Sequence, residues 1–556
     1  MLNHAPTLSK PPGGVPTAHV DTFARKLLPP AELWPKFDYS AAHLRGYPDR
    51  LNAGATLIDS AVAAGFGSKP VFHYGDGTWS FAHLQDRANR IARVLVEDYG
   101  LVPGNRVLLR SANTPMVAAC WLAVLKAGGI CVGTMPLLRA RELAYIVEKA
   151  QIRIALCEIG LADEMERTRA QSPGLKTVGY FTPLGEATRG DADLDLRAEA
   201  KPAGFCAVET AADDVALITF TSGTTGNPKG AVHFHRDILA SCDCWPQMYT
   251  VEPNEVVCGS PSFAFTYGMA VFLMYPLRYR TTAALVPKPT PDLILEAIQR
   301  HRVTSLCAVP MSLSGMLHEL QNNRNFSSLR KCTSAGEHLR QKLWDDWYEA
   351  TGLKIVNALG MTELLTHFVS ETMDVDRVGS TGRAAPGYTA CLLDDDFNPL
   401  PPGSKGRLAV YGPTGCRYLD DPDRQQAMVR KGWNVTGDIM EQDADGWFWY
   451  IDRSDDMIVS AGYNISPTEV ERVVIDHPKV AECAVIGVPD AVRGNIVCAC
   501  IVLTDPASAS ESTAREIQEF VKATIAPYKY PREVKFLDAL PKTLTGKIQR
   551  YHLRQL

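Results

Sequence analysis

Short apolar runs alternate with amphipathic stretches over the first two-thirds of the chain. Residues 106–110 read Arg-Val-Leu-Leu-Arg, the length and composition of a buried strand. Asn113-Thr-Pro-Met116 then opens a helix that runs to Lys126 and stops at Gly128-Gly129. Proline near the start and glycine just past the end is the asymmetry expected of a helix. Residues 130–133 resume as a strand, 139–150 as a helix and 154–157 as another strand, while 215–220 (Val-Ala-Leu-Ile-Thr-Phe) is a further buried strand. Residues 158–213 are less regular, with a surface excursion at 185–195, and more βα units cover 256–360. The alternation predicts an α/β fold whose large domain holds parallel sheets flanked by helices.

The pattern changes near 385–450, where short strands broken by Asp394-Asp-Asp396, by 399–403 and by 443–446 predict a small β-rich lobe. Asp452-Arg-Ser-Asp-Asp456 is a charged connector. Beyond it, 457–556 reads β-α-β-β-α-β, with helices over 465–477 and 514–525 and strands over 480–488 and 495–503, a small compact α+β domain. The expected division is an extension at 1–50 packed on the large domain, a large domain at 51–453 and a small C-terminal domain at 454–556.

At 556 residues the chain exceeds a single core. With 57 basic and 62 acidic residues, net charge is −5, and no basic block suggests nucleic acid or an anionic membrane as partner. The first 30 residues lack a signal-peptide core, and no run approaches a membrane span. The 14 cysteines contain no C-x-x-C pair. Reduced, buried thiols and a cytoplasmic location are expected. Cys498 and Cys500 should share one face of a strand. His233 and His235 lack the further ligands that zinc would need.

The chemistry is concentrated first at 221–230. Thr221, Ser222, Gly223, Thr224, Thr225 and Gly226 lead through Asn227-Pro228 to Lys229. A glycine-rich loop leaving a strand brings backbone N–H groups close to a polyphosphate, and the hydroxyls and the lysine add donors. The spacing is not that of a Walker loop. Further short motifs follow in order: Ser334-Ala-Gly-Glu337, Asn357-Ala-Leu-Gly-Met-Thr-Glu363, Thr436-Gly-Asp438, Asp452-Arg-Ser-Asp455, Ser460-Ala-Gly-Tyr463 and Pro541-Lys-Thr-Leu-Thr-Gly-Lys547.

In order and spacing this series resembles the AMP-forming acyl-CoA synthetases of the adenylate-forming superfamily, over nearly the whole chain. The resemblance implies ATP, Mg2+ and coenzyme A as cofactors, an acyl-adenylate intermediate and a small-molecule acid as partner, in a monomer or homodimer. It places Glu363 at the metal, with Thr362 beside it for a phosphate oxygen, and Lys547 between the carboxylate and the α-phosphate. Asp438 and Arg453 fall at the ribose, and Gly336, Glu337, Asn357 and Ala358 at the adenine. Asp455 becomes the hinge of the lid domain, while Ser460, Gly462 and Tyr463 face coenzyme A. Taken alone, Glu363 could equally cap a helix, Asp438 could belong to a turn and Asp455 to a plain linker.

Candidates for the acid pocket are Phe265, Tyr267, Gly336, Leu359, Gly360, Thr366 and His367. Aromatic walls over small floor residues suit a flat ring. The stretches Phe-Thr-Tyr-Gly268 and Leu-Leu-Thr-His-Phe368 look most like benzoate-CoA ligases, and the N-terminal Tyr47-Pro-Asp-Arg50 and neighbouring stretches resemble 2-aminobenzoate-CoA ligases. Benzoate-activating relatives tend to carry histidine where Thr366 stands. The expected substrate is 2-aminobenzoate. The alternatives are benzoate, hydroxybenzoate, a medium-chain fatty acid, or an acid loaded onto a carrier protein.

Overall fold

The computed structural model describes residues 14–186, 193–221, 227–320, 326–374, 377–453, 457–541 and 548–556, and the side chains of Leu320, Asp452 and Arg453 are outside that description. The first sheet has six strands, in the order Thr177–Phe181, Ile154–Glu158, Arg106–Arg110, Ile130–Thr134, Val215–Thr221, Lys229–Phe234. All neighbours are parallel except the last pair, which flanks the glycine-rich loop. Every residue of the helix Pro115–Lys126 is buried, because the helix is sandwiched between layers. Its Lys126 is neutralised by Asp59 at 2.6 Å.

The second sheet has nine strands, with a parallel centre at Ile355–Met361, Lys331–Ser334, Ser305–Ala308, Val256–Gly259 and Thr282–Leu285. One edge is closed by the antiparallel strands Thr366–Ser370 and Arg383–Ala384, the other by the hairpin Pro70–Tyr74/Gly77–Ser80. A small antiparallel lobe follows, built on Thr389–Leu393, Lys405–Tyr411 and Trp433–Gln442. The strand Phe448–Arg453 pairs on Trp433–Gln442, so the charged connector begins inside a strand. Residues 158–213 are more regular than their composition suggests, with a helix Ala162–Gln171, an edge strand Thr177–Phe181 and a helix Asp193–Glu199. Only Met165 and Thr168 of the first helix are buried, which left little apolar periodicity to read.

The C-terminal part opens with a hairpin, Ile458–Ser460 and Tyr463–Ile465, one strand more than the sequence pattern implied. The helices Pro467–Ile475 and Glu511–Thr524 then pack on the long pair Val480–Asp490 and Gly494–Leu503. Cys498 and Cys500 lie together in a small core with Ile486, Leu540 and Leu553. Twelve of the fourteen cysteines are buried; Cys206 is exposed and Cys391 half-buried. No helix among the described residues is long and apolar enough to cross a membrane.

Two buried charge clusters tie distant segments together. Arg417 is fully buried and meets Asp237 at 2.8 Å, and its guanidinium lies over Phe234, Phe37 and Trp34 at 4.1, 4.4 and 5.2 Å. Residues 34–37 are thereby fixed to the first sheet. In the other cluster Lys529 of the C-terminal part reaches Glu469 of that part and Glu142 of the large domain, at 2.6 and 2.5 Å, with all three side chains under 10 % exposed.

Candidate active site

The strand Val215–Thr221 ends at a threonine whose hydroxyl is buried with no partner among the described residues. Ser222, Gly223, Thr224, Thr225 and Gly226 lie outside the described residues. The chain returns at Asn227, and Lys229 opens the antiparallel strand Lys229–Phe234. From there its ammonium stands 3.1 Å from Glu363 Oε1 and 4.8 Å from the centre of the Tyr418 ring. Tyr418 donates to the same Glu363 oxygen at 2.5 Å. Glu363 sits in a single turn, Thr362–Leu364, that follows the strand Ile355–Met361. Burial alone would push its carboxyl up, but the Lys229 ammonium and the Tyr418 hydroxyl outweigh it and hold the group below the usual carboxylate range. Tyr418, which no motif marked, completes this cluster from 55 residues away.

Next to it, Asn357 donates through Nδ2 to the Ser380 carbonyl at 2.9 Å, and its own N–H donates to Glu371 at 2.9 Å. The side-chain amide is therefore engaged in holding the strand end. Ala358 continues that strand, and Gly336, two residues past the end of the neighbouring strand Lys331–Ser334, has a left-handed conformation with φ +90°. Asp438 is buried on Trp433–Gln442, directly across from Arg453 in register. Asp455 and Lys547 lie outside the described residues.

Aromatic rings surround the nominated acid pocket. Tyr267 packs edge-on against His367 at 4.8 Å, and His367 lies 4.6 Å from Trp245. Burial pushes the His367 imidazole down to about 3, so it is neutral at physiological pH. Thr366 shares a hydrogen bond with the hydroxyl of Tyr275 at 3.3 Å. Tyr275 and Trp245 were not among the candidates; their positions at a helix end gave no signal. Gly360 is constrained by close approach, since a Cβ there would stand 2.6 Å from the Thr366 carbonyl oxygen. Leu359 precedes it and joins the smaller core under the β-rich lobe. An interior cavity of about 30 Å³, with space for a water or two, lies behind the Phe265 segment. Ala264, Phe263 and Trp121 line it, and none of the nominated acid-pocket residues does.

The C-terminal part meets this region through its first hairpin. Ala461 and Gly462 both have positive φ, +52° and +83°, the conformation of a two-residue type I′ turn between Ser460 and Tyr463. Tyr463 stacks on Tyr528 at 4.2 Å and meets Phe265 edge-on at 5.9 Å. A Cβ on Gly462 would stand 3.1 Å from Val309 and 3.4 Å from Glu337. Arg472 donates to the Asn227 side chain at 2.6 Å, linking the same part to the glycine-rich segment. Gly462→Val combines a left-handed β-branched residue, costing about 1–2 kcal/mol, with that tight approach. The expected result is a loss of about tenfold or more in the coenzyme A step, well above any loss in adenylate formation. Single-turnover assays of each step would check it, and equal losses would contradict a docking role for the hairpin.

Comparison with known proteins fixes the class. Residues 60–417 match the AMP-binding enzyme family, and residues 469–547 match the AMP-binding enzyme C-terminal domain. The chain belongs to the AMP-binding enzyme family. It is 32% identical over 512 residues to a benzoate–CoA ligase of Thauera aromatica, covering 91% of this chain and 96% of that one. The mouse (Mus musculus) mitochondrial acyl-coenzyme A synthetase ACSM5 is 34% identical over 505 residues, covering 86% and 85%. Among solved structures, the anthranilate CoA ligase AuaEII in complex with anthranoyl-AMP superposes with a TM-score of 0.71 at 29% identity, covering 92% and 98%. The protein is thus an AMP-forming acid–thiol ligase, using ATP and coenzyme A to pass a carboxylic acid through an acyl-adenylate to a thioester.

Proposed function

We propose that the acid is aromatic and that 2-aminobenzoate is the best substrate. The carrying observation is the Thr366–Tyr275 hydroxyl pair beside the rings of Trp245, His367 and Tyr267. Flat apolar walls accept a ring, and a buried hydroxyl pair can exchange its mutual hydrogen bond for one to an ortho amino group. The benzoate– and anthranilate–CoA ligases among its relatives support the same reading.

In this reading the loop from Thr221 to Lys229 cradles the phosphates, Asp438 and Arg453 take the ribose, and the backbone of Gly336, Glu337 and Ala358, with Asn357, frames the adenine. The Glu363 carboxylate, kept ionised, is the kind of oxygen donor that Mg2+ takes together with phosphate oxygens. Magnesium there would neutralise charge on the triphosphate. Lys547 supports the developing charge at the α-phosphate, and Asp455 is the pivot that exchanges it for the face carrying Ser460, Gly462 and Tyr463.

A pyrophosphate-release screen over aromatic and aliphatic acids tests the substrate class. The expected order of kcat/KM is 2-aminobenzoate, then benzoate, then aliphatic acids; an aliphatic acid at the head would overturn the reading. Thr366→Val and Tyr275→Phe each remove one hydroxyl from the pair. One lost neutral hydrogen bond is worth about 0.5–1.5 kcal/mol, so preference for 2-aminobenzoate over benzoate should fall several-fold to about tenfold. Equal losses on both acids would leave a general aryl-CoA ligase.

A further inference from the structure

Glu337 lies in the loop between the strand Lys331–Ser334 and the helix Gln341–Thr351. Its Oε1 is shut off from solvent and has no hydrogen-bond partner among the described residues. Both carboxyl oxygens face the C-terminal part: a Cβ on Gly462 would stand 3.4 Å from Oε1, and one on Gly494 3.8 Å from Oε2. The same seam is closed by Arg340, which donates to the carbonyls of Asp490 and Gly494 at 3.2 and 3.4 Å. The charged groups facing the carboxyl are Arg340 from its own loop and Arg493 from the opposite turn. Neither arginine forms an ion pair with it among the described residues. Burial pushes the Glu337 carboxyl up to about 7, against the pull of both arginines.

We propose that Glu337 is the general base of the second half-reaction, taking the thiol proton of coenzyme A as the sulfur attacks the acyl carbonyl. This rests on Gly462 and its neighbours being the coenzyme A face. The S–C bond forms as the acyl C–O bond to AMP breaks, AMP leaves with that electron pair on its phosphate oxygen, and the proton stays on Glu337 until it passes to water. An alkyl thiol with a pKa near about 8.5 is only a few per cent ionised at about pH 7, so a base of matched pKa has work to do there. The carboxyl sits where the hairpin meets the large domain, and no hydrogen bond among the described residues occupies Oε1.

The test follows supplied acyl-AMP with coenzyme A in single turnovers of the full-length enzyme, as wild type, E337Q and E337D. Wild type should gain rate as pH rises through about 7. E337Q should lose about 100-fold at about pH 7 and lack that limb, a loss at least tenfold larger than its effect on pyrophosphate release. The gap should shrink to a few-fold near about pH 9.5, where the thiol ionises unaided. E337D should retain the limb with an intermediate rate, which decides the matter if E337Q does not fold. An E337Q rate within about threefold of wild type, or a loss equal at both pH values or in both half-reactions, would overturn the assignment. Should the coenzyme A face itself be misplaced, Tyr463→Ala would leave the KM for coenzyme A unchanged, an outcome read on the hairpin and not on the carboxyl.

Discussion

Lys547→Ala should all but abolish acyl-adenylate formation, by a factor of about 10²–10³, while supplied acyl-AMP is still converted to thioester. The lysine's charge matters where charge appears. Two anions, the carboxylate and the α-phosphate, approach in the first half-reaction, where the proposed role sets Lys547 between them; in the second the pivot at Asp455 has exchanged it for the coenzyme A face. An interaction made in the transition state and not before lowers kcat when removed. The second half-reaction expels AMP and has no such approach of anions. Pyrophosphate release and thioester formation measured on the same preparation decide it, and matched losses in the two would refute the role.

Arg417→Ala should destabilise the large domain by about 3–5 kcal/mol, because it removes the close counter-ion of buried Asp237 and leaves only Arg236, 4.0 Å away. Asp237 is fully buried and also accepts the Phe234 N–H at 2.9 Å, at the start of the helix His235–Cys244. The substitution further removes a guanidinium held among Trp34, Phe37 and Phe234, so residues 34–37 lose their fixed partner. Tyr418, the next residue, is the donor to Glu363, and adenylation should weaken along with stability. Replacing both partners, as R417M with D237L, removes the stranded charge and should recover much of the loss. Denaturant unfolding of wild type and the two variants checks this, and a single substitution as stable as wild type would contradict the account.

How far the sequence spoke depended on whether a feature was local. The βα alternation, the small β-rich lobe and the C-terminal pair of long strands were legible because each is set by apolar spacing within a dozen residues. The glycine-rich segment was legible for the same reason: strand, loop and lysine are contiguous. Glu363 was nominated by its motif, yet its partner Tyr418 was not, since the contact joins residues far apart in sequence. Tyr275 was missed likewise, meeting Thr366 across 91 residues. The mostly polar helix Ala162–Gln171 was missed for the opposite reason, as it buries too little to leave a pattern. Lys547, Asp455 and Ser222 to Gly226 rest on sequence, being outside the described residues.

The Glu142–Lys529–Glu469 cluster bears on how such enzymes can be recombined. A graft that replaced everything after residue 453 would keep Glu142 and discard both Lys529 and Glu469. Unless the donor supplied a cation at the same place, the recipient would carry a desolvated carboxylate in its new joint, and the Ala526 N–H that Glu142 now accepts at 2.9 Å would have to be matched as well. The natural unit of exchange is therefore larger than the C-terminal part: it includes the helix Ala140–Lys149, some three hundred residues upstream in the chain. A chimaera built with that helix should express and close normally where one cut at the connector alone does not.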